Sequence, residues 1–381
     1  MKFNFTGLHG VIGTKKLAHR LLVSEAERNV VRDLIGETYE LFYRDSSVRN
    51  HEVELTNLNA TIAFGSDFVS TFSWKTGDSV ETYDFCDVVS AVELAGDELL
   101  SIGSKIERFL SFICLRTIRG TKLELSAAVQ SEGPPPQRYA RLWHLGAEHK
   151  PCEVMFHQAL SSFLQEPGAM RTALQRWLAP SDDEFLARWL FLESQDDEAI
   201  SVGRLIAIFQ AVEIMGRAAT GAPPFDRAAF DEAASKAATT MCQALGAPFD
   251  TTEFCNRFYQ LIKTGNRPSF RDGVRAFFEQ IPSNLRAQYL PDQDEFVGRV
   301  VKMRNIVIHM DNRTRVTEET TRHLGEMTYR LLALFAAHQA VALGLDPDRV
   351  LSGLVNSEIG QAANHYINRF QRRGSNGAAP A

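Results

Sequence analysis

Early in the chain, apolar side chains alternate with polar ones. Val53 and Leu55, then Ile62 and Phe64, keep the two-residue period of half-buried strands. Phe68, Phe72 and Trp74 run into Thr76-Gly77-Asp78, and Tyr83 and Phe85 alternate beyond it, which predicts a hairpin. Ser104 and Glu107 have capping-box spacing, with Ile106, Phe109, Leu110 and Ile113 as a helical stripe behind them. Gly120-Thr121 closes that helix, and Leu123 and Leu125 mark a return strand. Ser24 and Glu27 repeat the capping spacing and predict one earlier helix.

From about residue 155 the pattern becomes helical. Leu205, Ile208, Phe209, Val212 and Met215 share one face of a helix that ends at Gly221-Ala222-Pro223-Pro224. Asp226 caps a second, running to Gly246, and Phe254, Phe258, Leu261 and Ile262 mark a third, stopped at Gly265. Ser269 caps a fourth with Val274, Phe277, Phe278 and Ile281, and Asp292 or Asp294 opens a fifth with Phe296, Val300, Met303 and Val307. Thr317 opens a Leu- and Ala-rich sixth that ends at Gly344, and a seventh covers residues 347 to 368. The run Ser131-Glu132-Gly133-Pro134-Pro135-Pro136 is the clearest break, a long loop or a linker. The expected class is α+β: a mixed, strand-rich domain over residues 1–180, an all-α domain over 181–370 and a small, polar, disordered tail over 371–381.

Composition narrows the functions. The 381 residues contain no apolar run long enough for a membrane span, and Met1-Lys2-Phe3-Asn4-Phe5 lacks the apolar core of a signal peptide. Five scattered cysteines, Cys86, Cys114, Cys152, Cys242 and Cys255, suggest reduced thiols in a cytoplasmic protein. The net charge of −6 argues against a general nucleic-acid coat, yet cationic charge is concentrated locally. Residues 254–275 hold five basic groups (Arg257, Lys263, Arg267, Arg271, Arg275) against Asp272, and residues 297–330 hold seven against four acids. A polyanion senses such local surface, and so does plain solvent around a helix face.

The fifth helix carries the most informative run, Arg304-Asn305-Ile306-Val307-Ile308-His309. Arg offers a planar fork of donors to phosphate oxygens, and His transfers protons near neutral pH. On a helical wheel Gly298, Lys302, Asn305 and His309 form a polar stripe on an otherwise apolar helix. Arg304 and His309 are separated by about 140° on an ideal helix. They converge only through a long Arg reach, a local bulge, or a second copy of the helix across a two-fold axis.

With its Arg-Asn-x3-His run at Arg304, Asn305 and His309, the chain resembles the HEPN superfamily of helical-bundle ribonucleases. Ser269-Phe270-Arg271-Asp272, the lead-in Phe296-Val297-x2-Val300-Val301-Lys302-Met303, and Phe209-Gln210-Ala211-Val212-Glu213 look like its Apea-like branch. The resemblance covers roughly residues 195 to 345. It implies an Apea-type N-terminal domain before a HEPN helical bundle, and a role in anti-phage abortive infection.

On this reading the protein is a cytoplasmic, metal-independent endoribonuclease with no cofactor. His309 would move protons, Arg304 would stabilise the charged phosphorane, and Asn305 would position His309 or the phosphate. Attack by the 2′-hydroxyl is intramolecular and needs no metal to deliver a nucleophile. Lys302, Arg299, Arg267 and Arg271 are the candidate RNA contacts. Glu213 is either paired with Arg217 one turn away or orients a site residue across the bundle, and Asp311 either fixes the His309 tautomer or belongs to a turn. The expected partners are RNA, transfer RNA among the candidates, and a second copy of the chain through the HEPN domain. A phage-derived trigger is the candidate signal for the N-terminal domain, and no membrane is involved. The alternative is a non-catalytic HEPN protein that binds RNA or a nucleotide or dimerises. His144, His149, Cys152 and His157 raise a zinc site, but their spacing fits no common knuckle. His323 and His338 are most simply structural, and no Gly-rich phosphate loop is present.

Overall fold

The alternating segment folds into paired strands, and the periodic segment into helices. The computed structural model describes residues 2–5, 48–55, 59–73, 77–90, 92, 95–118, 122–127, 138–142, 156–163, 165–195, 201–221, 225–247, 249, 251–266, 268–308 and 318–376. The early helix expected near Ser24 and the break at 131–136 lie outside these residues.

Strands β1 (Lys2–Phe5), β2 (Val48–Leu55), β3 (Ala60–Ser73), β4 (Gly77–Ser90), β5 (Lys122–Ala127) and β6 (Arg138–Leu142) form an antiparallel sheet in the order β2-β3-β4-β1-β5-β6. The expected hairpin is β3–β4, paired from Ser73 opposite Gly77 to Ala60 opposite Ser90. Val53, Leu55, Ile62, Phe64, Cys86 and Val88 are buried, whereas Glu52, Glu54 and Val89 are exposed. Burial therefore follows the pleat on β2 and β4, while β3 also buries Ala63 and Gly65.

Helix α1 (Gly96–Cys114) buries the predicted stripe of Ile106, Phe109, Leu110 and Ile113, but it begins two turns before Ser104. The Ala95 N–H donates to the Glu98 carboxylate at 2.9 Å, so the capping residues are upstream. Ser104 and Glu107 share one face inside the helix, which the same three-residue spacing permits. Helix α2 (Pro167–Leu178) starts on a proline, whose missing N–H costs nothing at that position. Its Trp177 ring stacks 5.2 Å from Phe112, and its Nε1–H donates to the Lys105 carbonyl at 3.0 Å.

The chain divides into two units. The first is Met1–Ala179 with Ala340–Glu358, and the second is Pro180–Gln339 with Ile359–Ala381. The first cut falls beside the expected boundary, but a linear division does not anticipate the return of residues 340–358. Their helix, α11 (Pro347–Asn356), belongs to the first unit because Gly353 lies directly on the chain there. A Cβ at that position would sit 2.1 Å from the Ala159 carbonyl oxygen.

The second unit is helical: α3 (Asp182–Glu193), α4 (Val202–Thr220), α5 (Arg227–Leu245), α6 (Thr252–Lys263), α7 (Phe270–Glu279), α8 (Ser283–Tyr289), α9 (Gln293–Ile308), α10 (Glu318–Ala342, through Gln339) and α12 (Glu358–Asn376, from Ile359). Helices α2, α3 and α8 lie within the stretch expected to be helical, though no single stripe marks them. Asp226 and Ser269 cap α5 and α7 as expected, accepting from Ala229 N and Asp272 N at 2.9 and 3.2 Å. The single helix expected over 347–368 breaks at Ser357 into α11 and α12. Helix α12 continues to Asn376, so residues 371–376 are helix rather than tail; Ile359, Ala363 and Ile367 give it a buried stripe.

Helices α4 and α7 approach at two glycines. A Cβ on Gly216 would lie 2.6 Å from the Gly273 carbonyl oxygen, a distance that forces backbone to move. Gly216→Ala should therefore destabilise the protein by about 1–3 kcal/mol, the usual cost of overpacking, seen as a lower denaturant midpoint. An unchanged midpoint would show that the two helices separate freely.

His338 is buried in α10 against the Phe277 ring, with Nε2 2.8 Å from Gln280 Oε1. Burial pushes its pKa down to about 4; Glu184 opposes that shift and Arg188 adds to it. The unfolded chain then binds more protons than the folded one between the ordinary histidine value and about 4. Stability should be complete above pH ~6.5 and fall by roughly 3 kcal/mol as the pH drops through that window. His338→Gln should flatten the slope of midpoint against pH between about 6.5 and 5, where carboxylates contribute little.

Candidate active site on helix α9

Helix α9 buries Phe296, Val297, Val300, Met303 and Val307. Lys302 and Asn305 are exposed and Arg304 lies between these two classes, as the wheel predicts for an amphipathic helix. Ile308 is its last described residue. His309, Asp311 and Arg267 lie outside the described residues, as do His144, His149 and Cys152. His157, the remaining member of that cluster, is exposed in a short 3-10 turn at Phe156–Gln158.

Arg304 is held from two sides. Its Nη2 lies 3.4 Å from Glu213 Oε2 on α4, a close ion pair but a long hydrogen bond. Its Cζ lies 5.2 Å from the ring centroid of Phe270, the first residue of α7, within cation–π range. The side chain is 21% exposed, and among the described residues its buried Nε has no hydrogen-bond partner. A guanidinium fixed by a carboxylate and a ring, with donors to spare, is suited to accept an anion. Three helices build this arrangement, and the Gly216–Gly273 approach sets the spacing of two of them.

Glu213 contacts two arginines at once. Its Oε2 faces Arg304, and its Oε1 accepts from Arg217 one turn further along α4. Arg271 is exposed in the first turn of α7, and Arg275 pairs with Asp294 at 3.0 Å.

Arg299 is placed differently from the other cations. It pairs with Asp292 at 2.6 Å, with Glu326 at 2.9 Å and with Glu295. Arg330 on α10 joins the same group, donating to Glu326 Oε1 at 2.7 Å, to the Tyr289 carbonyl at 3.1 Å and to Asp292. Its Cζ stands 3.7 Å over the Phe296 ring. His323 Nδ1 is 3.4 Å from Glu326 Oε2, so this histidine belongs to the same cluster. Burial pushes Asp292 up, but the hydrogen bonds and charges of Arg330 and Arg299 outweigh it and hold its pKa below the ordinary carboxylate value. This cluster and Phe270 escaped sequence reasoning. The available signals were the Glu326–Arg330 spacing on one helix face and the aromatic residue directly after the Ser269 cap.

Residues 206–349, from within α4 to within α11, match the Apea-like HEPN family. That stretch is an Apea-like HEPN domain. No curated protein and no solved structure matches. HEPN domains form a superfamily made up largely of ribonucleases, and Glu213, Phe270, Arg304 and the Arg330 cluster all fall inside the matched residues. Among the described residues no helix is long and apolar enough to cross a membrane.

Arg330 is 1% exposed and Glu326 fully buried, so neither charge has water to fall back on. Truncation by Arg330→Ala leaves three carboxylates, Glu326 fully buried among them, to share Arg299 and should cost about 3–5 kcal/mol in chemical unfolding. Arg330→Met, which keeps the volume, should cost no less if charge balance is what holds the cluster, and clearly less if packing is.

Proposed function

We propose that this protein is a metal-independent HEPN endoribonuclease, acting as a toxic effector in anti-phage abortive infection. The supporting observation is Arg304, a guanidinium fixed by Glu213 and Phe270 and left with an unfilled Nε donor, directly before Asn305 in a HEPN domain.

In this reading the ribose 2′-oxygen attacks the adjacent phosphorus and the bond from phosphorus to the 5′-oxygen breaks. The products are a 2′,3′-cyclic phosphate and a free 5′-hydroxyl. One proton leaves the 2′-hydroxyl and one reaches the departing 5′-oxygen, and His309 carries one of these transfers. Arg304 stabilises the charge that builds on the non-bridging oxygens. Asn305, exposed on the next position, positions His309 or the phosphate. Lys302, Arg271 and Arg267 contact flanking phosphates. Arg299, already engaged by three carboxylates, serves to hold α9 rather than to grip RNA. A second copy of the chain completes the site by bringing a second motif helix to the first, and the Apea-type N-terminal domain senses the trigger.

The decisive assay uses purified protein in EDTA with transfer RNA and total RNA. Wild type should leave 2′,3′-cyclic ends on RNA and leave DNA intact, since DNA lacks the attacking hydroxyl. His309→Ala and Arg304→Ala should each lower kcat/KM by roughly a hundredfold or more. Cleavage that persists in His309→Ala would sink the mechanism. Binding without cleavage by clean wild type, with and without phage extract, would favour the non-catalytic reading.

A further inference from the structure

We propose that Glu213 is a positioning residue shared between Arg304 and Arg217, and that an RNA phosphate at Arg304 shifts the carboxylate's charge toward Arg217. The inference rests on the nuclease reading for its ligand and deepens it by describing how the site is held when empty.

One carboxylate serves two arginines, with one oxygen for each. The two contacts are unequal. Arg217 donates to Oε1 from one turn along the same helix, while Arg304 reaches Oε2 from another helix at 3.4 Å. Their surroundings are unequal as well: Arg304 is 21% exposed and Arg217 is 70% exposed. A half-buried guanidinium needs a counter-charge when no ligand is present, and Glu213 supplies it. When a phosphate arrives, two anions meet at one cation and repel each other across a few ångströms. Arg217 resolves that conflict, because it already holds Oε1 and is itself well solvated. The carboxylate stays in place as an orienting strut while its charge is answered elsewhere. Glu213 therefore both aims Arg304 and tempers its grip on phosphate.

The prediction is a pair of opposite effects. A 2′-O-methyl RNA oligonucleotide, which has no hydroxyl to attack, reports binding by fluorescence anisotropy, and inorganic phosphate reports it by thermal shift. Glu213→Gln should bind the oligonucleotide roughly three- to tenfold more tightly, while kcat on unmodified RNA falls about tenfold because Arg304 loses its anchor. Arg217→Ala should bind roughly threefold more weakly. Lys236→Ala removes the same charge from a surface pair with Glu232 on α5 and should have a smaller effect. In the Glu213→Gln background, Arg217→Ala should do no more than Lys236→Ala does.

Shifts of the same sign, or a full Arg217 effect without Glu213, would overturn the proposal. So would unchanged anion binding in Arg304→Ala. If wild type binds RNA but never cleaves it, the nuclease reading fails while the opposite signs in binding still decide this inference. If RNA does not bind at all, the inorganic phosphate series decides it alone. Should Glu213→Gln fail to fold, the exposed Arg217→Ala variant still carries the test.

Discussion

One buried and one half-buried carboxylate facing two guanidinium groups fix where helix α9 can lie. Asp292, just before α9, and Glu326 on α10 leave little freedom to Arg299 and Arg330, and Phe296 caps the arrangement with its ring. Such a group contributes little net stability compared with a well-packed apolar core, because each ion gives up its hydration. What it supplies is geometry. Ion pairs at hydrogen-bond distance tolerate no slip of one helix past another, whereas a purely apolar seam can slide by part of a turn and still bury the same area. Arg304 sits little more than one turn beyond Arg299, so its position follows from that registration.

The second support of Arg304 is steric. Helix α4 brings Glu213 and helix α7 brings Phe270, and the two can cooperate only because Gly216 and Gly273 let their backbones touch. The position of Arg304 is thus defined by an ionic lock on one side and a missing pair of side chains on the other. Neither contact is local in sequence, and each is made by a residue that would look unremarkable on its own.

That division explains what could be read from the chain. Strands β2, β3 and β4, the hairpin and the helices capped by Asp226 and Ser269 follow from local periodicity and local hydrogen bonds, which a single sequence displays directly. The polar face of α9 was legible for the same reason. The start of α1 was not, because a serine followed three positions later by a glutamate looks the same at a helix end and within a helix. The break at Ser357 depends on packing that no local window contains. The ion pairs of Arg299 were not legible either. Cationic residues suggest a polyanion only until their carboxylate partners, distant in sequence, are seen beside them.

The return of Ala340–Glu358 to the first unit bears on the order in which the molecule can assemble. Roughly 160 residues, Pro180 to Gln339, separate the first unit's two pieces. At ribosomal speeds of about 5–20 residues per second, the sheet and its helices wait roughly 8–30 s for α11 to be made. Until then the chain around Ala159 lacks the helix that Gly353 seats upon it. Nearly all of the segment that carries Arg304 has been synthesised before the first unit can close. The newborn chain therefore holds helix α9 ahead of a finished N-terminal unit, and a helix made near the end of synthesis, α11, decides when that unit becomes whole.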